Sequence, residues 1–223
     1  MRVLTMIEEN NMIDFPTYID QKEMGLYQYL SKFRTFYNYQ IYLLDNPALK
    51  QIRNRYIFSV FTVHRQFRTS VKAFKKFKNR IPENIKYWEL QKAKTGLYHQ
   101  AYAGMQSWNV TENSLLNARN LNYYTDLREI LLKNISGISL AKISFFLALI
   151  FPKWDFICLD TWMLKYYGID KTKLTYKKYV EIESKHSTLS NRLGYFPFAL
   201  QWAIWEYMQK KGHIDHSFLW KGK

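Results

Sequence analysis

The sequence predicts an all-α protein. Apolar residues recur at three- and four-residue spacing through most of the 223-residue chain, the signature of amphipathic helices. Strand signals are weak throughout. Helix caps stand ahead of the periodic segments, and Pro or Gly stands behind them. No Gly/Ser/Pro-rich linker, repeat or low-complexity tract divides the chain, whose length suits one large domain or two interleaved lobes with a substantial core.

The elements follow in order, roughly ten helices in all. Gln21 to Leu44 reads as one or two helices, stopped by the turn signal Asp45-Asn46-Pro47. Arg53 to Phe77 places Tyr56, Val60, Val63 and Phe67 on one stripe, a long amphipathic helix or a helix pair ended by Pro82. Tyr87 to Met105 forms another helix, and Thr111-Glu112-Asn113-Ser114 offers a cap for Leu115 to Leu121. Thr125 caps Asp126 to Lys133. Ser139 to Phe151 is apolar nearly all round, hence buried, and Pro152 ends it. Asp160 starts Thr161 to Tyr167, which Gly168 terminates. The last helix runs from Pro197 to Lys211, with Pro in its first turn and Gly212 past its end.

Composition narrows the function. Hydrophobic residues make up 48% of the chain, which excludes intrinsic disorder. Lys plus Arg number 33 against 18 Asp plus Glu, a net charge of +15 that calls for a polyanionic partner. Nucleic acid comes first and an anionic membrane surface second. The 18 Tyr and 7 Trp supply stacking surfaces as well as core. Cys158 is the only cysteine, so disulfides and four-cysteine metal or iron–sulfur sites are excluded. Cys158 itself reads as buried and inert. His64, His186, His213 and His216 have no metal-ligand spacing. The first residues, with Glu8, Glu9 and Asp14, do not form a signal peptide, and the apolar run from Ile143 to Phe151 is too short to span a bilayer. A soluble intracellular protein is expected, with no cofactor, metal, membrane or protein partner. Its richness in Lys, Asn and Tyr fits an AT-rich genome, so a bacterial or phage-infected cytoplasm, or the nucleoid, is the expected location.

The most informative stretch joins two of these helices. Leu131-Leu132-Lys133-Asn134-Ile135-Ser136-Gly137-Ile138-Ser139-Leu140-Ala141-Lys142 reads as a helix, a tight glycine turn and a second helix, and Leu159-Asp160-Thr161-Trp162 follows. A turn into a helix N-terminus presents unsatisfied N–H donors and a partial positive charge, which suits a phosphate. Asp160, 23 residues beyond Gly137, is at once a helix cap and a lone acid. In the same basic chain, Lys72 to Arg80 carries five positive charges in nine residues.

This hairpin and acid resemble the helix-hairpin-helix DNA glycosylase superfamily, here without an iron–sulfur cluster. Ile135-Ser136-Gly137-Ile138-Ser139 keeps the first glycine of the family's Pro-Gly-Val-Gly and has serines for its proline and second glycine. Leu159-Asp160-Thr161-Trp162 matches the family's Val-Asp-Thr-His at the acid and departs at Trp162. The resemblance is strongest over residues 53–168.

The resemblance implies a two-lobed all-α architecture, with a middle lobe of residues 46–160, a terminal lobe of residues 1–45 plus 161–223, and double-stranded DNA held in the cleft between them. It implies removal of a damaged or modified base, flipped out of the duplex, with Asp160 stabilising the positive charge that builds on the sugar. Lys142 decides the subclass, since bifunctional members use a lysine on the second hairpin helix as a Schiff-base nucleophile. Counting from Asp160 favours Lys142 for that slot, whereas counting from Gly137 places it on Ala141, and the monofunctional subclass is the expectation. Gly137, Ser139 and Lys133 are expected on a DNA backbone phosphate. Gln66 is expected to fill the vacated base stack, with Arg65 and Phe67 as rivals and Arg68 and Lys72 on nearby phosphates. Gln201, Trp202, Trp108 and Trp162 are expected around the base, Gln201 reading its edge through a paired donor and acceptor. Two alternatives remain open: a phage-type enzyme that hypermodifies a base on the same fold, and a non-catalytic hairpin DNA-binding protein.

Overall fold

The computed structural model describes residues 21–45, 47–62, 66–78, 111–115, 127–135, 138–210 and 212–213. Every regular element among them is helical, as the sequence predicts. In chain order they are α1 (Gln21–Lys32), α2 (Arg34–Leu44), α3 (Leu49–Phe61), α4 (Phe67–Lys78), α5 (Leu127–Asn134), α6 (Leu140–Ile150), α7 (Thr161–Tyr166), α8 (Tyr176–Leu193) and α9 (Pro197–Gln209). A 3-10 turn covers Lys171–Lys173, and residues 111–115 are helical, Thr111 to Ser114 included, where the sequence suggested only a cap. The helix expected over Tyr87 to Met105 lies outside the described residues, as does all of the one expected over Leu115 to Leu121 beyond its first residue.

The Arg53 to Phe77 stripe is a helix pair, and hydroxyl groups make the break. Thr62 Oγ1 donates to Ser59 O at 2.7 Å and Ser70 Oγ to Phe61 O at 2.8 Å. These hydroxyls satisfy carbonyls that a continuing helix would bond to its own N–H groups, so the chain turns after Phe61. Sequence reasoning missed α8 altogether. Its ends carry ordinary signals: Thr175 Oγ1 accepts the Lys178 N–H at 3.2 Å, and Gly194 closes the helix at φ 71°, where the Tyr195 N–H reaches Ser190 O at 2.9 Å. Between those ends the apolar stripe (Tyr179, Ile182, Leu189, Leu193) is thinned by Glu183, His186 and Ser190, which are themselves buried.

Two helices are buried nearly all round and organise the rest. α6 hides every residue from Ile143 to Ile150 and packs chiefly against α3 and α5. α9 hides Pro197 to Ile204 and Glu206 and packs against α1, α2, α7 and α8. A helix apolar on all sides has no face for water, so both take the centre of the molecule. Arg55, 2% exposed, ties the first helices to α6: its guanidinium donates to Leu43 O, Leu44 O and Leu149 O at 3.1, 2.8 and 2.7 Å. The cation thus caps the C-terminal carbonyls of α2 and α6, where helix dipoles favour positive charge.

Candidate active site

Ile157 to Asp160 crosses the core outside any helix, and its amides are bonded mainly by side chains. The Ile157 N–H reaches Glu183 Oε1 at 3.3 Å, the Cys158 N–H Gln201 Oε1 at 2.6 Å, and the Leu159 N–H the Tyr179 hydroxyl at 3.1 Å. That hydroxyl donates to Ile157 O at 2.7 Å, and the Asp160 N–H reaches Cys158 O at 2.9 Å. Buried amides need partners, and here α8 and α9 supply them. Glu183 is held in turn by the Arg128 guanidinium at 2.6 Å, which extends the network to α5.

Asp160 emerges from this segment as the N-cap of α7. Its Oδ1 accepts the Trp162 and Met163 N–H groups, each at 3.0 Å. Burial pushes its pKa above the ordinary aspartate value; the two amides, the Lys142 charge and the Trp205 indole oppose that push without cancelling it. Oδ1 is thus committed to the helix cap.

A pocket opens beside Asp160, with about 400 Å³ of space between its walls that runs out into solvent. Thr62, Phe67, Lys142, Phe145, Cys158 and Asp160 line it from one stretch of chain, and Met163, Gln201, Trp202 and Trp205 from the C-terminal stretch. Phe67, Trp202 and Trp205 form a continuous aromatic wall, with ring centroids 5.6, 5.0 and 5.7 Å apart in the three pairings. Lys142, in the first turn of α6, lines the pocket with its Nζ 5.6 Å from the Phe145 ring centroid. Ala141 is not among the lining residues and packs on the core. One residue turns a helix by about 100°, and that turn puts the lysine, rather than the alanine, beside the acid.

The other site residues fall into three groups. Gln201 and Trp202 line the pocket, and Gln201 Oε1 is already bonded to the Cys158 N–H, which leaves its NH2 donors for a ligand. Trp162 does not line the pocket; its ring lies beside Lys165, whose Nζ is 5.8 Å from the ring centroid. Lys133, Ser139, Gln66, Arg68 and Lys72 are exposed: Lys133 lies in the last turn of α5, Ser139 directly precedes α6, Gln66 directly precedes α4, and Arg68 and Lys72 share the α4 surface. Gly137, Arg65 and Trp108 lie outside the described residues. Phe67, a rival for the wedge position, is part of the pocket wall instead. Cys158 is buried with its thiol pushed up to about 12, as befits an inert group, yet it lines the pocket.

Sequence reasoning assigned no role at the site to Thr62, Phe145, Met163, Tyr179, Glu183 or Trp205. Trp205 carried the one usable signal, its place on the same α9 face as Trp202. Among the described residues, no group of three or more His, Cys, Asp or Glu side chains is placed to hold a metal, and no helix is long and apolar enough to cross a membrane.

The fold has counterparts of known structure. The 8-oxoguanine glycosylase/lyase of Methanocaldococcus jannaschii, solved with a 15mer DNA containing 8-oxoguanine, matches with a TM-score of 0.69 at 17% identity, over 85% of this chain and 99% of that one. The 8-oxoguanine DNA glycosylase structure from the same organism matches with a TM-score of 0.68 at 16% identity, over 86% and 95%. The chain therefore has the helical fold of DNA glycosylases. No protein-family model matches it, and no curated protein sequence does.

Proposed function

We propose that this protein is a DNA glycosylase that flips a modified base out of double-stranded DNA, excises it, and uses Lys142 as the nucleophile. The observation that carries this is the meeting of Lys142 and Asp160 in one aromatic-walled pocket. A flipped base needs planar surfaces to replace its lost stacking, and Phe67, Trp202 and Trp205 offer them.

In the reaction, the Lys142 amine attacks C1′ of the extruded nucleotide as the bond from C1′ to the base breaks. The base leaves with the electron pair. Asp160 takes the amine proton and returns it to the departing base, a role helped by a pKa raised through burial. Opening of the sugar ring at O4′, which takes a proton from water, gives the protonated imine; the C2′ proton then passes to water and the 3′ phosphate departs with its bonding electrons, a β-elimination that breaks the strand. Lys142, the one lysine among the described residues that line the pocket, favours this bifunctional course over the monofunctional one expected from the sequence.

The hairpin tip at Gly137, with Lys133 and Ser139, contacts a backbone phosphate of the duplex. Arg68 and Lys72 contact others, Gln66 with Arg65 fills the vacated stack, and Trp108 adds a stacking surface. Residues 46–160 form one lobe and the two ends of the chain the other, in keeping with a pocket lined from both stretches.

The test uses duplexes carrying 8-oxoguanine (the base named for both structural counterparts) and other oxidised, deaminated, alkylated or hypermodified bases. Strand cleavage without alkali and a borohydride-trapped protein–DNA adduct are expected, both lost in Lys142→Gln. Cleavage only after alkali in the wild type makes the enzyme monofunctional and removes Lys142 as nucleophile. Salt-sensitive binding with no abasic product refutes excision and leaves base modification or silent binding.

A further inference from the structure

The pocket supplies two reacting groups from two different elements, Lys142 on α6 and Asp160 at the start of α7. Their separation is fixed by whatever joins those elements behind the pocket wall. One phenol occupies that position. Tyr179 is fully buried and does not line the pocket. Its hydroxyl donates to Ile157 O at 2.7 Å and accepts the Leu159 N–H at 3.1 Å, so it clamps the segment that ends in Asp160.

Ser144, two residues beyond Lys142, is tied to the helix that carries Tyr179 through the Arg128–Glu183 pair. Arg128 donates to Ser144 Oγ at 3.3 Å, while Glu183 accepts the Ile157 N–H at 3.3 Å. The Arg128 guanidinium also lies 5.4 Å from the Tyr179 ring centroid. A clamp on the main chain holds its target whatever the neighbouring side chains do, and a fully buried one has no water to compete for its hydrogen bonds.

We infer that Tyr179 is a positioning residue for excision, its hydroxyl fixing the separation of the Lys142 amine and the Asp160 carboxylate. The inference rests on the glycosylase reading above. It follows that removal of the hydroxyl leaves the DNA-contacting surface and the pocket wall in place while loosening the geometry of attack, and misplacement of reacting groups by about 1 Å costs on the order of a hundredfold in rate.

The test compares wild type, Tyr179→Phe and Ser144→Ala with Ile182→Val or Ile182→Ala, the last chosen to match the loss of Tm in Tyr179→Phe without touching the clamp. Each is assayed on a duplex carrying 8-oxoguanine, or whichever base of the panel the wild type excises. Kd for the duplex and the single-turnover excision rate are measured well below every Tm. Tyr179→Phe is expected to lose roughly tenfold to a hundredfold in single-turnover rate and in borohydride trapping, with Kd unchanged. Ser144→Ala falls in the same direction by less, and the Ile182 variant excises at the wild-type rate. Tyr179→Phe excising at the rate of the Ile182 variant overturns the inference and leaves the glycosylase reading intact. A wild type that excises no base refutes that reading, and this inference with it.

Discussion

Acid should unfold this protein through one buried histidine, His186. The imidazole is fully buried on α8, and both its nitrogens are bonded. Pro197 O, 2.8 Å away, can only accept, so Nε2 carries the proton and Nδ1 accepts from the Tyr167 hydroxyl at 2.7 Å. Burial holds the ring neutral and pulls its pKa from 6.5 down to about 4. In the unfolded chain the ring takes up its proton near 6.5, so between the two values the unfolded state binds more protons and stability falls as pH drops. Two and a half pH units at about 1.4 kcal/mol each amount to about 3 kcal/mol. Asp160 and Glu183, whose carboxyls are raised by burial, act in the opposite sense, their contribution being lost as pH rises. The His186 share is therefore read as a difference. Urea unfolding of wild type and His186→Gln is followed from pH 7 to pH 4. The substituted amide can still donate to Pro197 O but does not titrate, so the two stability curves should converge by about 3 kcal/mol across that range. Parallel curves would refute the argument.

Three further outcomes follow from the site. Asp160→Asn should lower the excision rate about a hundredfold to a thousandfold while changing stability by less than about 1 kcal/mol in urea unfolding, because Asn caps a helix nearly as well as Asp. Arg128→Met strands the Glu183 carboxylate among buried groups and should destabilise by about 3–5 kcal/mol; an unchanged urea midpoint would show that the pair is dispensable. Arg68→Ala and Lys72→Ala should each reduce the salt dependence of duplex binding by about one unit in the log–log slope, and an unchanged slope would take α4 off the DNA.

The sequence made legible what is local. Asp160 ahead of Thr161 and Pro152 after α6 act through neighbours a few residues away, and the boundaries they set hold to within one residue; the last helix instead stops at Lys210, itself left-handed at φ 54°, two residues before Gly212. Lys142 and Ala141 stood one residue apart in competing registers, a choice that only the packing of α6 could make. The aromatic wall joins Phe67 to Trp202 and Trp205 across most of the chain, and no periodicity encodes such a meeting. Trp162 went astray because it was placed by motif slot, whereas the first turn of α7 carries its ring toward Lys165. α8 was lost because its buried face holds Glu183, His186 and Ser190, polar residues that look like solvent-facing ones until their partners are seen.

The stitching of Ile157 to Asp160 has an evolutionary consequence. Hydrogen bonds to main-chain atoms are blind to the side chains on that main chain, so Ile157, Cys158 and Leu159 can drift among compact apolar residues without loosening the segment. The phenol at 179, the carboxylate at 183 and the carboxamide at 201 have no such liberty, since each meets a particular amide. Descent in this lineage should accordingly be written on the inner faces of α8 and α9, and kin whose hairpins have diverged should be recognised by that trio changing together or not at all.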